Sequence, residues 1–229
     1  MSWQALSGSS PYAWPLSGTW SAQDTALLVI DMQADFLSPE GYFAQMGNSL
    51  VSTRAAIAPM KSLLAQSRMQ GVKVIFTRES HRPDLSDLHP TKQARAEAMG
   101  TPVGGQGPLG RFLVRGEAGC DIIPELAPEA GETLVDKPGN GAFHATDLDQ
   151  ILRAASIRHL LITGVTTDVC VHSTLREAND RGYDCLVLED CCGAGDPELH
   201  QAALAMLDNE GGIFGARSKS HTLIEAWQA

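Results

Sequence analysis

The chain has 229 residues, a hydrophobic fraction of 43% and a formal net charge of −10. This length and composition fit one α/β domain with a sizeable core, and the negative charge argues against nucleic acid or an anionic membrane surface as a partner. No apolar run approaches the roughly 20 residues that a membrane-spanning helix needs.

The N-terminal segment, residues 1–24, is rich in Ser, Pro, Gly and Trp. It lacks the basic region and apolar core of a signal peptide, and the five cysteines of the chain are an odd number. We therefore expect reduced thiols and a cytoplasmic protein. Residues 1–24 predict an extended arm on the surface or on a neighbouring subunit, and residues 25–229 predict a single domain.

The first strand of that domain ends in an acid. Thr25–Asp31 (TALLVID) is a continuous apolar run, which is typical of a buried parallel strand. Ligand sites of parallel sheets lie at the carboxyl ends of the strands, so Asp31 is a candidate catalytic residue. The alternative is an Asp that only starts a turn. Phe36, in the loop that follows, either lines a pocket or packs in the core.

The next strand, Val72–Thr77, is followed by Arg78, Glu79 and His81 at its carboxyl end. Residues 79–131 contain many Pro and Gly residues, and short elements are expected only at 111–115 and 120–126. A connection of this length predicts a pocket lid or a subunit contact.

A lysine follows the third strand. Thr133–Asp136 predicts a short strand, and Lys137 comes next in the turn sequence KPGNG. A lysine between an acid and a cysteine stabilises a thiolate and orients proton transfer. The alternative is an exposed surface lysine, which is the usual environment of this residue type.

A cysteine begins the helix after the fourth strand. Residues 160–180 (LLITGVTTDVCVHSTLREAND) predict a buried strand, a turn at Gly164 and a helix that starts near residues 166–168, which are N-cap types. Cys170 then lies in the first helical turn, where free N–H groups and the helix dipole favour a thiolate of lowered pKa and an oxyanion. The alternative is a small core residue.

Strands and helices continue to alternate to the end of the chain. Residues 184–189 predict a fifth strand, 198–209 a helix, and the segment from Ile213 a short last strand. The pattern predicts a doubly wound parallel sheet with helices on both faces.

Three of these motifs together resemble the isochorismatase-like cysteine hydrolases: Asp31 in VIDMQADF, Lys137 in VDKPGNGAF and Cys170 in GVTTDVCVHSTLREANDRGYD. The resemblance implies a three-layer α/β/α sandwich around a six-stranded parallel sheet, assembled as a dimer or tetramer. It implies that Asp31, Lys137 and Cys170 are catalytic. It also implies a cis peptide before the nucleophile helix, at Val165–Thr166, with the N–H groups of Thr166 and Cys170 as the oxyanion hole.

The motifs also favour one branch of the family. Isochorismatase itself lacks the cysteine nucleophile. Nicotinamidases carry an Asp-x-His metal site after the second strand, where this chain reads TRESHRPDLSDL. His81 and His89 alone are a weak basis for zinc, so we expect neither a metal nor another cofactor. The fuller pattern is most similar to biuret and triuret hydrolases, through PYAWPLSG, GYFAQMG, TRESHRPDLSDL, RGEAGCDIIPEL and LEDCCGA.

Two residues depart from the biuret hydrolase pattern. Asn140 replaces an expected lysine and Glu210 an expected glutamine. A carboxylate at position 210 accepts N–H bonds from an extra ureido unit and so favours triuret, unless Glu210 is a solvated helix-end acid. With Phe36 and Arg78, these residues are the candidate substrate contacts.

The resemblance predicts cysteine-dependent hydrolysis of a small neutral ureide, with Asp31 as general base and release of ammonia. Two other functions stay open. One is hydrolysis of ureidoacrylate or an N-carbamoyl compound by the same residues. The other is a catalytically silent binding protein of the same fold.

Overall fold

The computed structural model describes residues 2–228 of the chain; residues 1 and 229, the ends of the two predicted segments, lie outside them. Most of the strands belong to one central sheet. Numbered along the chain, the strands are β1 (Ser2–Leu6), β2 (Trp14–Ser21), β3 (Thr25–Ile30), β4 (Lys73–Glu79), β5 (Gln106–Gly107), β6 (Gly110–Arg111), β7 (Thr133–Lys137), β8 (His159–Val165), β9 (Asp184–Gly193) and β10 (Ala216–Ser218).

The helices connect these strands. They are α1 (Ala34–Leu37), α2 (Tyr42–Gln45), α3 (Val51–Ala55), α4 (Ile57–Met69), α5 (Pro90–Ala98), α6 (Leu148–Ala154), α7 (His172–Asp180), α8 (Pro197–Ala205) and α9 (Ser220–Gln228). A π-helical turn, Thr167–Val171, leads directly into α7. Within residues 2–228, none of the helices has the length and hydropathy needed to cross a membrane.

The central sheet has the strand order β10-β9-β8-β3-β4-β7, and every neighbouring pair is parallel. The chain starts the sheet at β3, extends it to one side through β4 and β7, and then returns to the other side of β3 with β8. The order of the strands therefore reverses between β3 and β8. In open α/β sheets, ligands bind outside the carboxyl ends of the strands at such a switch point.

Two apolar layers cover the sheet, because successive strand residues face opposite sides. Leu27 of β3 belongs to the core cluster that includes Leu63 of α4. Leu28, the next residue, belongs to the other cluster, with Leu152 of α6 and Leu175 of α7. This arrangement confirms the three-layer α/β/α sandwich around a six-stranded parallel sheet.

The N-terminal segment differs from the predicted extended arm. β1 and β2 pair as an antiparallel hairpin that packs on its own chain. The ring centroids of Trp3 and Trp20 are 4.5 Å apart, and Trp20 lies 6.0 Å from Trp227 of α9. Burial of these large aromatic side chains holds the hairpin on the domain, although Ser, Pro and Gly dominate the composition of the segment.

Trp14 and Leu16, two residues apart in β2, offer a matched test of this packing. Trp14 is fully buried, whereas Leu16 is 73% exposed. We expect Trp14→Ala to lower the free energy of unfolding by about 3–5 kcal/mol through the cavity it leaves. Leu16→Ala should change it by less than about 0.5 kcal/mol. Urea unfolding measures both, and equal small effects would show that the hairpin is detached in solution.

Candidate active site

Four adjacent strands each bring one reactive side chain to the same edge of the sheet. Asp31 follows β3, Glu79 ends β4, Lys137 ends β7 and Cys170 follows β8. These strands are neighbours in the order β8-β3-β4-β7, and their carboxyl ends meet at one edge. The four side chains, which we call the buried quartet, therefore come together beside the switch point.

The ammonium group of Lys137 lies at the centre of the quartet. Its Nζ is 2.6 Å from Asp31 Oδ2, 3.5 Å from Cys170 Sγ and 3.8 Å from Glu79 Oε2. It also donates a hydrogen bond to the Gly139 carbonyl at 3.0 Å. The Lys137 side chain is fully buried. Burial alone would lower the pKa of Lys137, but the Asp31 carboxylate, with Cys170 and Glu79, raises it, so the ammonium keeps its charge.

Three members of the quartet, Asp31, Glu79 and Cys170, are residue types that bind metal ions, and their ligand atoms lie close together. One ligand atom each from Asp31, Glu79 and Cys170 lies within 4.8 Å of the other two. Lys137 Nζ contacts all three groups. The cation that these three groups surround is therefore the ammonium group of Lys137.

Asp31 has an unusual backbone and a specific hydrogen bond. Its φ of 52° lies in the left-handed region, which is uncommon for a residue other than glycine. The Thr77 hydroxyl donates to Asp31 Oδ1 at 2.6 Å. Burial raises the pKa of Asp31 even though the Lys137 ammonium lowers it. A carboxyl group of raised pKa is suited to accept and return a proton.

Glu79 is the member of the quartet that our sequence analysis left without a role. The Cys170 thiol donates to its Oε2 at 3.5 Å, and Lys92 of α5 lies 2.6 Å from its Oε1. Burial opposes ionisation, but the ammonium groups of Lys92 and Lys137 outweigh it and lower the pKa of Glu79. Two carboxylates thus face the thiol, and the second one stays ionised.

Lys92 links the quartet to the surface. Its Nζ lies 2.9 Å from His81 Nε2 and donates to the Pro138 carbonyl at 2.8 Å. His81 Nδ1 in turn lies 3.2 Å from Asp87. Burial, together with the Lys92 ammonium, lowers the pKa of His81, so a neutral ring accepts from Lys92 and donates to Asp87. Lys92 also lines a surface cavity of about 770 Å³, which includes Asn140.

Cys170 lies in the π-helical turn rather than in a regular first turn. π-helical turns occur often at functional sites. Our expectation of a lowered thiol pKa is wrong for this structure. Burial raises the pKa of Cys170 well above its usual value; the Lys137 ammonium lowers it by less, and the Asp31 and Glu79 carboxylates raise it further. Such a thiol is protonated at neutral pH, and a nucleophilic role for it requires a base that removes the proton.

This protonation state predicts a slow alkylation at neutral pH. The rate of Cys170 with iodoacetamide should rise about tenfold per pH unit through pH 9, because only the thiolate reacts. The other four cysteines are also buried, so the modified residue is identified by peptide mass spectrometry. Rapid alkylation confined to Cys170, with a plateau below pH 8, would contradict the raised pKa.

The proposed oxyanion hole lies next to the thiol. Thr166 and Cys170 are both buried, and the Val165–Thr166 peptide bond is cis, as the family resemblance implied. Gly164, at φ 121°, lets β8 approach β3 there, because a Cβ atom would meet the backbone of Ile30. The use of the Thr166 and Cys170 N–H groups for an oxyanion stays a prediction.

The candidate substrate contacts are scattered. Phe36 of α1 is buried against Tyr42 and Phe43, with ring centroids 6.5 and 6.1 Å apart. Asn140 is exposed and lines the surface cavity beside Lys92.

Arg78 does not join the quartet, contrary to our prediction of a substrate contact. The side chains of Thr77 and Glu79 lie on the side of the sheet where the quartet is assembled. Arg78 lies between them in β4, so its side chain points to the other side of the sheet. There it pairs with Asp136 at 2.9 Å and Asp121 at 2.8 Å.

Glu210 lies in a 3₁₀ segment, Met206–Gly211, and not at the end of a helix over 198–209. It is exposed, with a φ of 48°. α8 ends at Ala205, and the last strand begins only at Ala216 rather than at Ile213. The structure shows no side-chain contact between Glu210 and the quartet.

The fold and the quartet define a doubly wound α/β protein with a buried cysteine–lysine–carboxylate site. The sequence model of the Isochorismatase domain matches residues 25–217. The chain belongs to the isochorismatase family.

Ureidoacrylate amidohydrolase RutB of Serratia proteamaculans (strain 568) is 33% identical over 192 residues, which cover 82% of this chain and 77% of that protein. Among solved structures, a cysteine hydrolase from Pseudomonas syringae pv. phaseolicola 1448A superposes with a TM-score of 0.76 and 26% identity, covering 91% of this chain and 94% of the other. N-carbamoylsarcosine amidase from Thermoplasma acidophilum superposes with a TM-score of 0.64 and 25% identity, covering 86% and 96%.

Proposed function

We propose that this protein is a cysteine-dependent amidohydrolase that cleaves a carbon–nitrogen bond of a small ureide and releases ammonia. The observation that carries the proposal is the position of Lys137 Nζ, 2.6 Å from Asp31 and 3.5 Å from Cys170. A buried ammonium between a carboxylate and a thiol stabilises the negative charge as it passes from one to the other.

The first half of the reaction acylates the enzyme. Asp31 takes the Cys170 proton while the sulfur bonds to the carbonyl carbon, and backbone N–H groups of Thr166 and Cys170 bind the oxyanion. The carbon–nitrogen bond then breaks, Asp31 returns the proton to the leaving nitrogen, and ammonia departs. Cys170 is left as a thioester-like acyl enzyme.

The second half regenerates the thiol. Asp31 accepts a proton from water as the water oxygen bonds to the acyl carbon. The carbon–sulfur bond breaks, and the proton passes to the sulfur. The product is a carbamic acid, and the enzyme returns to its starting state with one water consumed and one ammonia released.

The named activities of the relatives support a ureide substrate. Ureidoacrylate and N-carbamoylsarcosine each contain a carbonyl flanked by two nitrogens; the RutB protein is similar to this chain in sequence, and the N-carbamoylsarcosine amidase is similar to it in fold. Such carbonyls are poor electrophiles, so a preorganised nucleophile and oxyanion site are needed. The RutB relative makes a ureidoacrylate-type acid the second candidate substrate.

Within this class we propose biuret or triuret as the substrate. The support is the resemblance of PYAWPLSG, GYFAQMG, TRESHRPDLSDL and LEDCCGA to biuret and triuret hydrolases. Glu210 and Asn140 are the two departures from the biuret pattern, and Glu210 favours triuret. Phe36, Asn140 and Glu210 are proposed to contact the substrate once it is bound. The same resemblance supports a homodimer or homotetramer, which light scattering on the purified chain tests.

Ammonia release from a substrate panel tests the proposal. The panel contains biuret, triuret, ureidoacrylate, N-carbamoyl amino acids and nicotinamide. We expect fast release from biuret or triuret and little from nicotinamide. Preference for ureidoacrylate would keep the ureide class and overturn the biuret and triuret assignment. No ammonia from any compound would favour a silent binding protein.

A further inference from the structure

We propose that Glu79 is a further residue of the active site, which accepts a hydrogen bond from the amino group of the substrate's carbamoyl end. This inference rests on the proposed function and makes it more specific. It explains by one side chain, Glu79, why the substrate must carry a terminal H₂N–CO– group. Its basis is the position of Glu79 Oε2, 3.5 Å from the nucleophilic sulfur on the inner side of the site.

Geometry brings the amino group to this oxygen. The sulfur attacks the carbonyl carbon, and the amino nitrogen is bonded to that same carbon. An acceptor within hydrogen-bond distance of the thiol is therefore within reach of the amino group once the thiol has released its proton. Asp31 holds the thiol proton at this stage, with the Thr77 hydroxyl on its Oδ1 and Lys137 beside its Oδ2, so it donates to the amino nitrogen and does not accept from its N–H groups. Among residues 2–228, the polar contacts of Glu79 Oε2 are the Cys170 thiol and the more distant Lys137.

Charge makes Glu79 selective for N–H groups. Lys92 at 2.6 Å and Lys137 at 3.8 Å keep the carboxylate ionised. An ionised carboxylate only accepts hydrogen bonds, so it binds an amino group and rejects a carbonyl or ether oxygen in the same place. It also stabilises the positive charge that develops on the leaving nitrogen as that nitrogen is protonated.

Gln33 fixes the backbone of Glu79 in place. Its Nε2 donates to the carbonyls of Glu79 and Cys120 at 3.0 and 2.9 Å, and its Oε1 accepts from the Glu79 N–H at 2.7 Å. Both groups of this buried amide are thus used to hold the end of β4. A rigidly held acceptor orients the substrate with little loss on binding.

Glu79→Gln is the informative substitution because Lys92 determines its orientation. Lys92 donates to the outer atom of residue 79, so the amide oxygen turns to Lys92 and the NH₂ group faces the site. A donor then meets the donor of the substrate. We expect kcat/KM for the best ureide to fall by about 100-fold or more.

A substrate without N–H groups separates this role from general base catalysis. We expect the burst in which p-nitrophenyl acetate acylates Cys170 to slow by no more than about 5-fold in Glu79→Gln, because proton transfer to Asp31 does not need Glu79. Asp136→Asn is the matched control: Asp136, near the end of the neighbouring strand β7, is likewise an ion-paired acid, but its partner is Arg78 and it faces away from the quartet. It should leave both reactions within about 3-fold.

A double variant guards against misfolding. Glu79→Leu combined with Lys92→Met removes the ion pair as a unit, so no unpaired ammonium remains and residue 79 offers no hydrogen-bond acceptor in any orientation. If it unfolds at a temperature close to wild type, keeps the ester burst and lacks ureide hydrolysis, the inference stands.

Three outcomes overturn the inference in distinguishable ways. If wild type hydrolyses ureides and Glu79→Gln retains more than about a third of that activity, only the role of Glu79 is wrong. If the ester burst falls as far as ureide hydrolysis, Glu79 serves the thiol and not the amino group. If wild type shows the ester burst but hydrolyses no ureide, the proposed function fails and this inference fails with it.

Discussion

Replacing Cys170 with serine should lower ureide hydrolysis by at least about 10³-fold, the largest single effect that we expect at this site. A hydroxyl holds its proton far more tightly than a thiol, and Asp31, whose pKa is raised by burial but still that of a carboxyl group, cannot remove it effectively. Ammonia release from the best substrate, followed at enzyme concentrations high enough to detect residual turnover, measures the loss. The ester burst should disappear with it.

The same change at a cysteine outside the site is the control. Cys185 of β9 is buried like Cys170, and its thiol lies 3.6 Å from the Tyr183 carbonyl. Cys185→Ser should therefore cost a comparable amount of stability and retain ureide hydrolysis within about 3-fold. If Cys170→Ser kept more than a tenth of wild-type activity, a covalent intermediate on this residue would be untenable.

The central sheet and three members of the quartet were predictable because they depend on local patterns. A continuous apolar run predicts a buried parallel strand, and the residue that follows it lies at the ligand-binding edge. Asp31 and Lys137 occupy such positions at or next to the end of a strand, and Cys170 lies in the helical turn that follows β8. Their mutual distances then follow from a strand order that places β8, β3, β4 and β7 side by side.

Our sequence analysis chose Arg78 as a substrate contact and gave Glu79 no role, although the alternation of side chains along β4 distinguishes the two residues. Side chains alternate across a strand, so only one of two adjacent residues faces the site. Phe76 packs in one apolar cluster and Ile75 in the other. Extending that alternation to the end of β4 places Thr77 and Glu79 on the side of Asp31. The predicted strand ended at Thr77, two residues too early.

Other features were beyond local patterns because long-range contacts decide them. The pKa of Cys170 depends on burial and on carboxylates that come from β3 and β4, more than 90 residues earlier in the chain. From the sequence alone, the position of Cys170 near the start of a helix predicted a lowered pKa. Likewise, the N-terminal hairpin is stabilised by Trp227 of α9 at the other end of the chain.

Lys137→Met should remove both activity and a large part of the stability. Methionine matches the length and shape of the lysine stem but leaves Asp31 and Glu79 buried without the central cation. Removing one partner of a buried ion pair typically costs about 3–5 kcal/mol of unfolding free energy. We expect a loss in this range by urea unfolding, together with at least about 10³-fold less ureide hydrolysis. Lys61→Met on the exposed face of α4 should change neither.

The pH dependence distinguishes a charge effect from a packing defect. Lys137 has a raised pKa in the folded protein, so its contribution to wild-type stability is complete at neutral pH and is lost only at strongly alkaline pH. In Lys137→Met, loss of the ammonium raises the pKa of Asp31 and Glu79, and the folded variant gains stability as pH falls and one of them binds a proton. The difference in unfolding free energy between wild type and variant should therefore shrink from pH 7.5 to pH 5. A difference that stays constant over this range would mean that Lys137 contributes by packing alone, and the electrostatic role on which the proposed mechanism depends would have to be abandoned.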